Sequence, residues 1–267
     1  MKILIIGLEG IHPVALFADE RLSNMRQLME LGCYGRLDNP VLPDGFSVWQ
    51  CLSASQIPSP DVSLNEQSGH MFSIWSHLQQ KGQSVAHIES TSKLDELAGD
   101  TSQSLDQIYA ESRDRFALAR RYLQNQESDH LQIIEVGAEI LQRLWADQFA
   151  RLQDFPLFLD EQIGSLLEFL SEETVLLVLF IHRAHNTIES GFILASANNP
   201  LHAEIHGAGL LDIAPTLLQL IGEDIPISMQ GKSLLAGIDL EQGSADGLSQ
   251  DEEELLRERL SGLGYIN

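Results

Sequence analysis

Eight consecutive residues, Thr174-Val-Leu-Leu-Val-Leu-Phe-Ile181, are apolar or β-branched. A strand of that composition has no polar face to turn to water, so it must be covered on both sides. Lys2–Ile6 has the same character on a smaller scale, and Gly7 is expected to stop it. Shorter strands are expected at Val85–Ile88, Leu131–Val136 and Gly191–Ala195. Between them, apolar spacing predicts helices at 24–31, 47–53, 71–80, 108–126, 138–149, 157–169, 212–221 and 250–260, with a break near Pro156. Strands buried on both faces and alternating with helices imply an α/β fold: a mainly parallel β-sheet sandwiched by helices. We read residues 1–267 as a single domain, with a variable insert at approximately 59–130. Within the insert, 59–67 reads as an exposed connection and Thr91–Asp106, low in hydrophobicity, as the most mobile stretch.

The net charge of −23 weighs against nucleic acid or an anionic membrane surface as the main partner, because both would be repelled. It does not weigh against a phosphate ester, since a local site can be positive within an acidic protein. Cys33 and Cys51 are the only cysteines, too few for a disulfide framework or a cysteine-rich zinc site. The apolar run at the N-terminus is too short for a secretory signal, and no stretch approaches the ~20 apolar residues that span a bilayer. The expectation is a soluble, cytoplasmic protein of a reducing compartment.

Four stretches carry a resemblance. Ile3-Leu-Ile-Ile-Gly-Leu-Glu-Gly10, with Leu22–Leu28 and Gly32–Gly35 after it, resembles an opening strand ending Gly-Leu-Asp-Gly and its following segment. Pro43-Asp-Gly-Phe-Ser-Val-Trp49 resembles a nucleophile loop reading Thr-x-Pro-Ala-Trp. Asp212-Ile-Ala-Pro-Thr-Leu-Leu218, then Gly222, Pro226 and Gln230-Gly-Lys-Ser-Leu234, is the most specific match. The last is Arg259-Leu-Ser-Gly-Leu-Gly-Tyr265 at the end of a closing helix. Together they are similar to the alkaline phosphatase superfamily, nearest its phosphodiesterase/nucleotide pyrophosphatase branch.

That resemblance implies two divalent metals held by Asp and His, one activating a Thr or Ser nucleophile. Position by position, this chain departs from it. Glu9 stands at the first Asp ligand, and its extra methylene displaces the carboxylate. Gly45 stands at the nucleophile and has no side chain to attack with. Ser47, two residues on, is the remaining candidate nucleophile, with helix capping as its alternative role. An Asp and a His four residues apart become Ala138/Gln142 or Glu139/Arg143, depending on register, and an ordinary surface ion pair explains the latter. Asp-His at the end of the long strand becomes Ile181-His182. The register of the last His gives Thr187, with His185, His202 and His206 nearby but out of step.

Two carboxylate losses and a missing nucleophile imply a degenerate, catalytically inactive relative that binds a small phosphorylated ligand or a protein partner. The alternative is a metal-dependent phosphodiesterase or phosphatase with a rearranged site. It would use Ser47, and Glu9, His182 and His185 would hold a single divalent metal, zinc or manganese.

Overall fold

The computed structural model describes residues 2–42, 47–58, 72–89, 101–144, 154–184, 187–197, 199 and 201–236. The position of Gly45, His185, the closing helix and the Arg259–Tyr265 motif lie outside them. In chain order the elements are β1 (Ile3–Glu9), α1 (Pro13–Ala18), α2 (Ser23–Leu31), β2 (Cys33–Asp38), α3 (Val48–Ala54) and α4 (Ile74–Gln80). There follow β3 (Val85–Ile88), α5 (Thr101–Asn125), β4 (His130–Glu135), α6 (Gly137–Leu144) and α7 (Phe155–Leu167). The long strands β5 (Val175–Ala184) and β6 (Thr187–Ala195) lead to β7 (Ala208–Gly209) and α8 (Ile213–Leu220).

The strands form one seven-stranded sheet in the order β3-β4-β1-β5-β6-β2-β7. β3, β4, β1 and β5 run parallel, and β6 alone among the described strands runs against its neighbours. The pleat sorts the apolar side chains into two cores. Leu4, Ile6, Leu8, Leu176, Val178 and Phe180 meet α1, α2, α5, α6 and α7 on one face. Ile3, Ile5, Leu177, Leu179 and Ile181 meet α3, α4 and α8 on the other. This is the two-sided burial that the apolar runs require, and the α/β class is as expected.

Several local features differ from the sequence reading. β1 does not stop at Gly7 but runs on to Glu9. Gly7 is needed inside the strand because a Cβ there would lie 2.1 Å from the Trp49 ring. The expected break near Pro156 falls just before it, at Asp154, and Pro156 itself sits in the first turn of α7, where its missing N–H costs nothing. Thr101–Asp106 belongs to α5. Helix α1 and strand β2 were not anticipated. α1 is only six residues long, and β2 alternates buried and exposed positions through the polar residues Arg36 and Asp38. Within the stretch 59–130, β3 pairs with β4, and Ile108, Phe116, Ala119 and Leu123 of α5 are part of the first core.

Long-range polar contacts fix the helices. The N-terminus of α2 has no side-chain cap of its own. Asp160 of α7, 3% exposed, supplies one: its carboxylate accepts from the backbone N–H of Asn24 at 3.1 Å and of Met25 at 2.8 Å. The Asp212 motif makes a second clasp. Its carboxylate accepts from the Gly209 and Lys232 N–H groups, both at 2.8 Å. Thr216 Oγ1 donates to the Asp212 carbonyl and accepts from Leu234 N–H, while Ser55 Oγ donates to Leu211 O and accepts from Gly231 N–H. Gly231 has to be glycine, because a Cβ would come 2.0 Å from that Leu211 oxygen. The most specific motif of the sequence is thus a structural lock.

Replacing Asp160 with Ala strands two N–H groups and removes the charge facing the start of α2. Urea unfolding of Asp160→Ala is expected to show a loss of roughly 2–3 kcal/mol.

Candidate functional site

The parallel strands β4 and β1 end side by side, with β5 running on past them, and such carboxyl edges are where open α/β sheets present their sites. Glu9 is the last residue of the central one, β1, and its side chain is 12% exposed. Its Oε1 accepts from the Trp49 indole N–H at 2.6 Å. Trp49 comes from the first turn of α3, whose start is fixed by Ser47. The Ser47 hydroxyl accepts from the Gln50 N–H at 3.1 Å, and the Gln50 side chain accepts from the Ser47 N–H at 2.9 Å. That reciprocal pair is a capping box, so Ser47 has the capping role weighed against nucleophilic attack.

Glu9 also shares a hydrogen bond with Glu139 in the first turn of α6. The approach is close because Gly10 lies against the α6 backbone: a Cβ on it would sit 2.2 Å from the Glu139 nitrogen. The Gln142 amide, one turn on, donates to the Gly10 carbonyl. Glu139 forms the expected i, i+4 ion pair with Arg143. It is not the ordinary surface pair of the sequence reading, since the Glu139 side chain is 16% exposed and turned to Glu9. That second contact is tertiary and left no mark on the local spacing.

Across the sheet, Glu9 is in register with Ile181, which is fully buried in the second core. Side chains alternate along a strand, so Arg183 shares the face of Glu9 and Ile181, whereas His182 projects from the opposite face. The contacts agree. The Arg183 guanidinium is 4.0 Å from Glu9 Oε1. The His182 ring instead meets His12, at 5.1 Å between centroids. His12 in turn pairs with Glu189 at 2.9 Å and caps α1 through Nδ1. The structure therefore separates Glu9 from His182, two of the three residues expected to share a metal; the third, His185, lies outside the described residues. Among the described residues no cluster of three or more His, Cys, Asp or Glu side chains is arranged to hold a metal.

The strand end itself departs from the sequence reading. β5 does not give way to a ligand-bearing loop after Ile181 but continues to Ala184 and pairs back with β6, as far as Ala184↔Thr187. Ser190, Glu189 and Ile188 are thereby zipped opposite Ile181, His182 and Arg183. The Thr187 of the expected last-ligand register opens β6.

A divalent metal does not fit the donor set that the described residues present here. Among the described residues, the side chains of opposite polarity facing Glu9 and Glu139 are an indole N–H and two guanidiniums, all donors that cannot coordinate a cation. On the other side of Gly10 and His12 a cavity of about 340 Å³ opens, lined mainly by apolar groups including Leu16, Leu141 and Phe155.

No protein-family profile and no curated protein matches the sequence. Solved structures do. The lipoteichoic acid synthase LtaP from Listeria monocytogenes superposes with a TM-score of 0.57 at 14% identity, covering 90% of this chain and 75% of its own. The phosphonate monoester hydrolase SpPMH from Silicibacter pomeroyi gives 0.58 at 11% identity, covering 87% and 75%. BT4656, solved with its substrate D-glucosamine-2-N,6-O-disulfate, gives 0.56 at 12% identity, covering 87% and 79%. All three are alkaline phosphatase superfamily proteins. At such identities the likeness is one of fold, and the chain has the alkaline-phosphatase-superfamily fold that its sequence motifs resemble.

The carboxyl pair titrates unevenly. Burial, followed by the hydrogen bond to Glu139, raises Glu9 from 4.5 to about 7, against the lowering effect of Trp49 and Arg183. Burial alone would also raise Glu139, but the Glu9 hydrogen bond, Arg143 and Arg183 outweigh it and hold this carboxyl below its usual value. Near neutrality the two share about one proton, with Glu9 as its principal holder. A raised folded-state pKa means that the stability tied to the Glu9 proton is complete below pH 4.5 and is lost as the pH rises to about 7. Glu139 acts in a different window, losing its contribution only below its ordinary value. Urea unfolding is therefore expected to show less decline in stability between these two pH values in Glu9→Gln than in the wild type.

Proposed function

We propose that this protein is a non-catalytic member of its fold class that acts by binding. The observation that carries the reading is the filled strand edge: Glu9 is engaged by Trp49, Glu139 and Arg183, with the apolar Ile181 in register beside it. Two-metal phosphoryl transfer needs open coordination positions and a free nucleophile. Here the carboxylates face donors, and the Ser47 hydroxyl is occupied in the cap of α3. The proposed partner is a small phosphorylated molecule or a protein. The charge of −23 favours either over nucleic acid or an anionic membrane surface. Among the described residues no helix is long and apolar enough to cross a membrane. We place the protein in the cytoplasm on its two unpaired cysteines, both buried.

The purified full-length chain, assayed with chromogenic phosphate mono- and diesters in added Mn²⁺ or Zn²⁺, is expected to show no turnover above buffer. It is also expected to retain no stoichiometric metal after gel filtration. Hydrolysis that disappears in Ser47→Ala or His182→Ala would overturn the reading in favour of a rearranged enzyme.

A further inference from the structure

The strand edge leaves one question of charge. Two carboxyl groups, Glu9 and Glu139, converge from β1 and α6, at side-chain exposures of 12% and 16%. Carboxyls so close and so poorly hydrated require a positive charge between or beside them. The sequence resemblance assigns that role to a divalent metal, and the donor set does not fit one.

We infer that Arg183 and Arg143 supply this charge permanently, so that two guanidiniums built into the chain stand where the resemblance expects a divalent cation. Arg143 is tied to Glu139 through the helical i, i+4 pair. Arg183, from β5, lies 4.0 Å from Glu9 and stabilises the charged form of both carboxyls. The indole N–H of Trp49 takes a further lone pair of Glu9. Near neutrality the pair shares about one proton, so the two guanidiniums already more than match its remaining negative charge, and an added divalent cation would bring uncompensated positive charge into a half-closed site. Each guanidinium approaches the Oε1 atom of one carboxyl. Arg183 is the residue on which this turns, because it faces Glu9 from the strand that the resemblance makes a ligand strand, and its charge favours the ionised form of both carboxyls. The continuation of β5 into the β6 hairpin is what brings it there: Arg183 is held in register with Ile188.

This inference rests on the non-catalytic reading, and its test separates the two. Thermal unfolding of the full-length chain is followed with and without millimolar MnCl₂ for the wild type, Arg183→Met and Arg183→Lys. A further variant adds Glu139→Gln to Arg183→Met. Arg183→Met, which keeps the bulk and removes the charge, is expected to lower Tm by about 2–4 °C, the order produced by losing one charge-assisted contact in a chain of this size. Mn²⁺ is expected to restore that loss, to leave the wild type and Arg183→Lys unchanged, and to have no effect once Glu139→Gln is added. An Arg183→Met variant with wild-type Tm, or one that Mn²⁺ fails to restore, overturns this inference alone. A wild type stabilised by Mn²⁺, with the effect removed by Glu139→Gln, overturns it together with the non-catalytic reading, because the pair would then be a metal site in the native protein.

Discussion

A carboxyl group buried at the end of the central strand must be neutralised, and the manner of that neutralisation organises this molecule's strand edge. Glu9 closes β1, which is hydrogen-bonded on both sides, so its backbone cannot move to carry the charge into water. Everything around it is arranged to accept that position. Gly7 gives up a side chain so that the Trp49 ring can lie across the strand and aim its N–H at Glu9. Gly10 does the same for the backbone of α6, which brings up Glu139 and, one turn later, Arg143. The extended β5–β6 hairpin delivers Arg183 from the other side.

The rest of the fold is held together independently of this strand edge. The two cores depend on side chains alternating along β1 and β5, and none of those positions requires a metal. The clasp built from Asp212, Thr216, Ser55 and Gly231 closes α8 and the following loop onto α3 with backbone groups as its main partners. A buried ion pair between Arg115 and Glu135 ties α5 to the end of β4, and Ser112 and the Gly137 N–H donate to the other carboxylate oxygen. These contacts hold the sheet edge in shape whatever chemistry it carries.

Much of the fold was legible because burial leaves a periodic trace. The runs at 3–6 and 174–181 could only be strands covered on both sides, and the helices around 24–31 and 212–221 show in their spacing. The Asp-Ile-Ala-Pro-Thr motif pointed to the right fold, and its residues form a structural lock between α8 and the loop that follows it. The hairpin was not legible, since Ile181-His182-Arg183 reads equally well as a strand end or a loop until β6 is paired with it. The union of Glu139 with Glu9 was invisible for a similar reason: residues 130 positions apart meet only through the parallel pairing of β1 with β4. The sequence named Glu9 and His182 together because both lie at strand ends, but the pleat turns them to opposite faces, a difference of one residue in register.

The account stands on the claim that the carboxyl pair is closed by protein groups. A crystal of the full-length chain soaked in MnCl₂, with anomalous difference density calculated at the manganese edge, tests it most directly. The account predicts no peak between Glu9 and Glu139, with the Trp49 indole and the Arg183 guanidinium still against the carboxyls. A manganese peak bridging the two carboxylates, with Arg183 swung out to solvent, would contradict it.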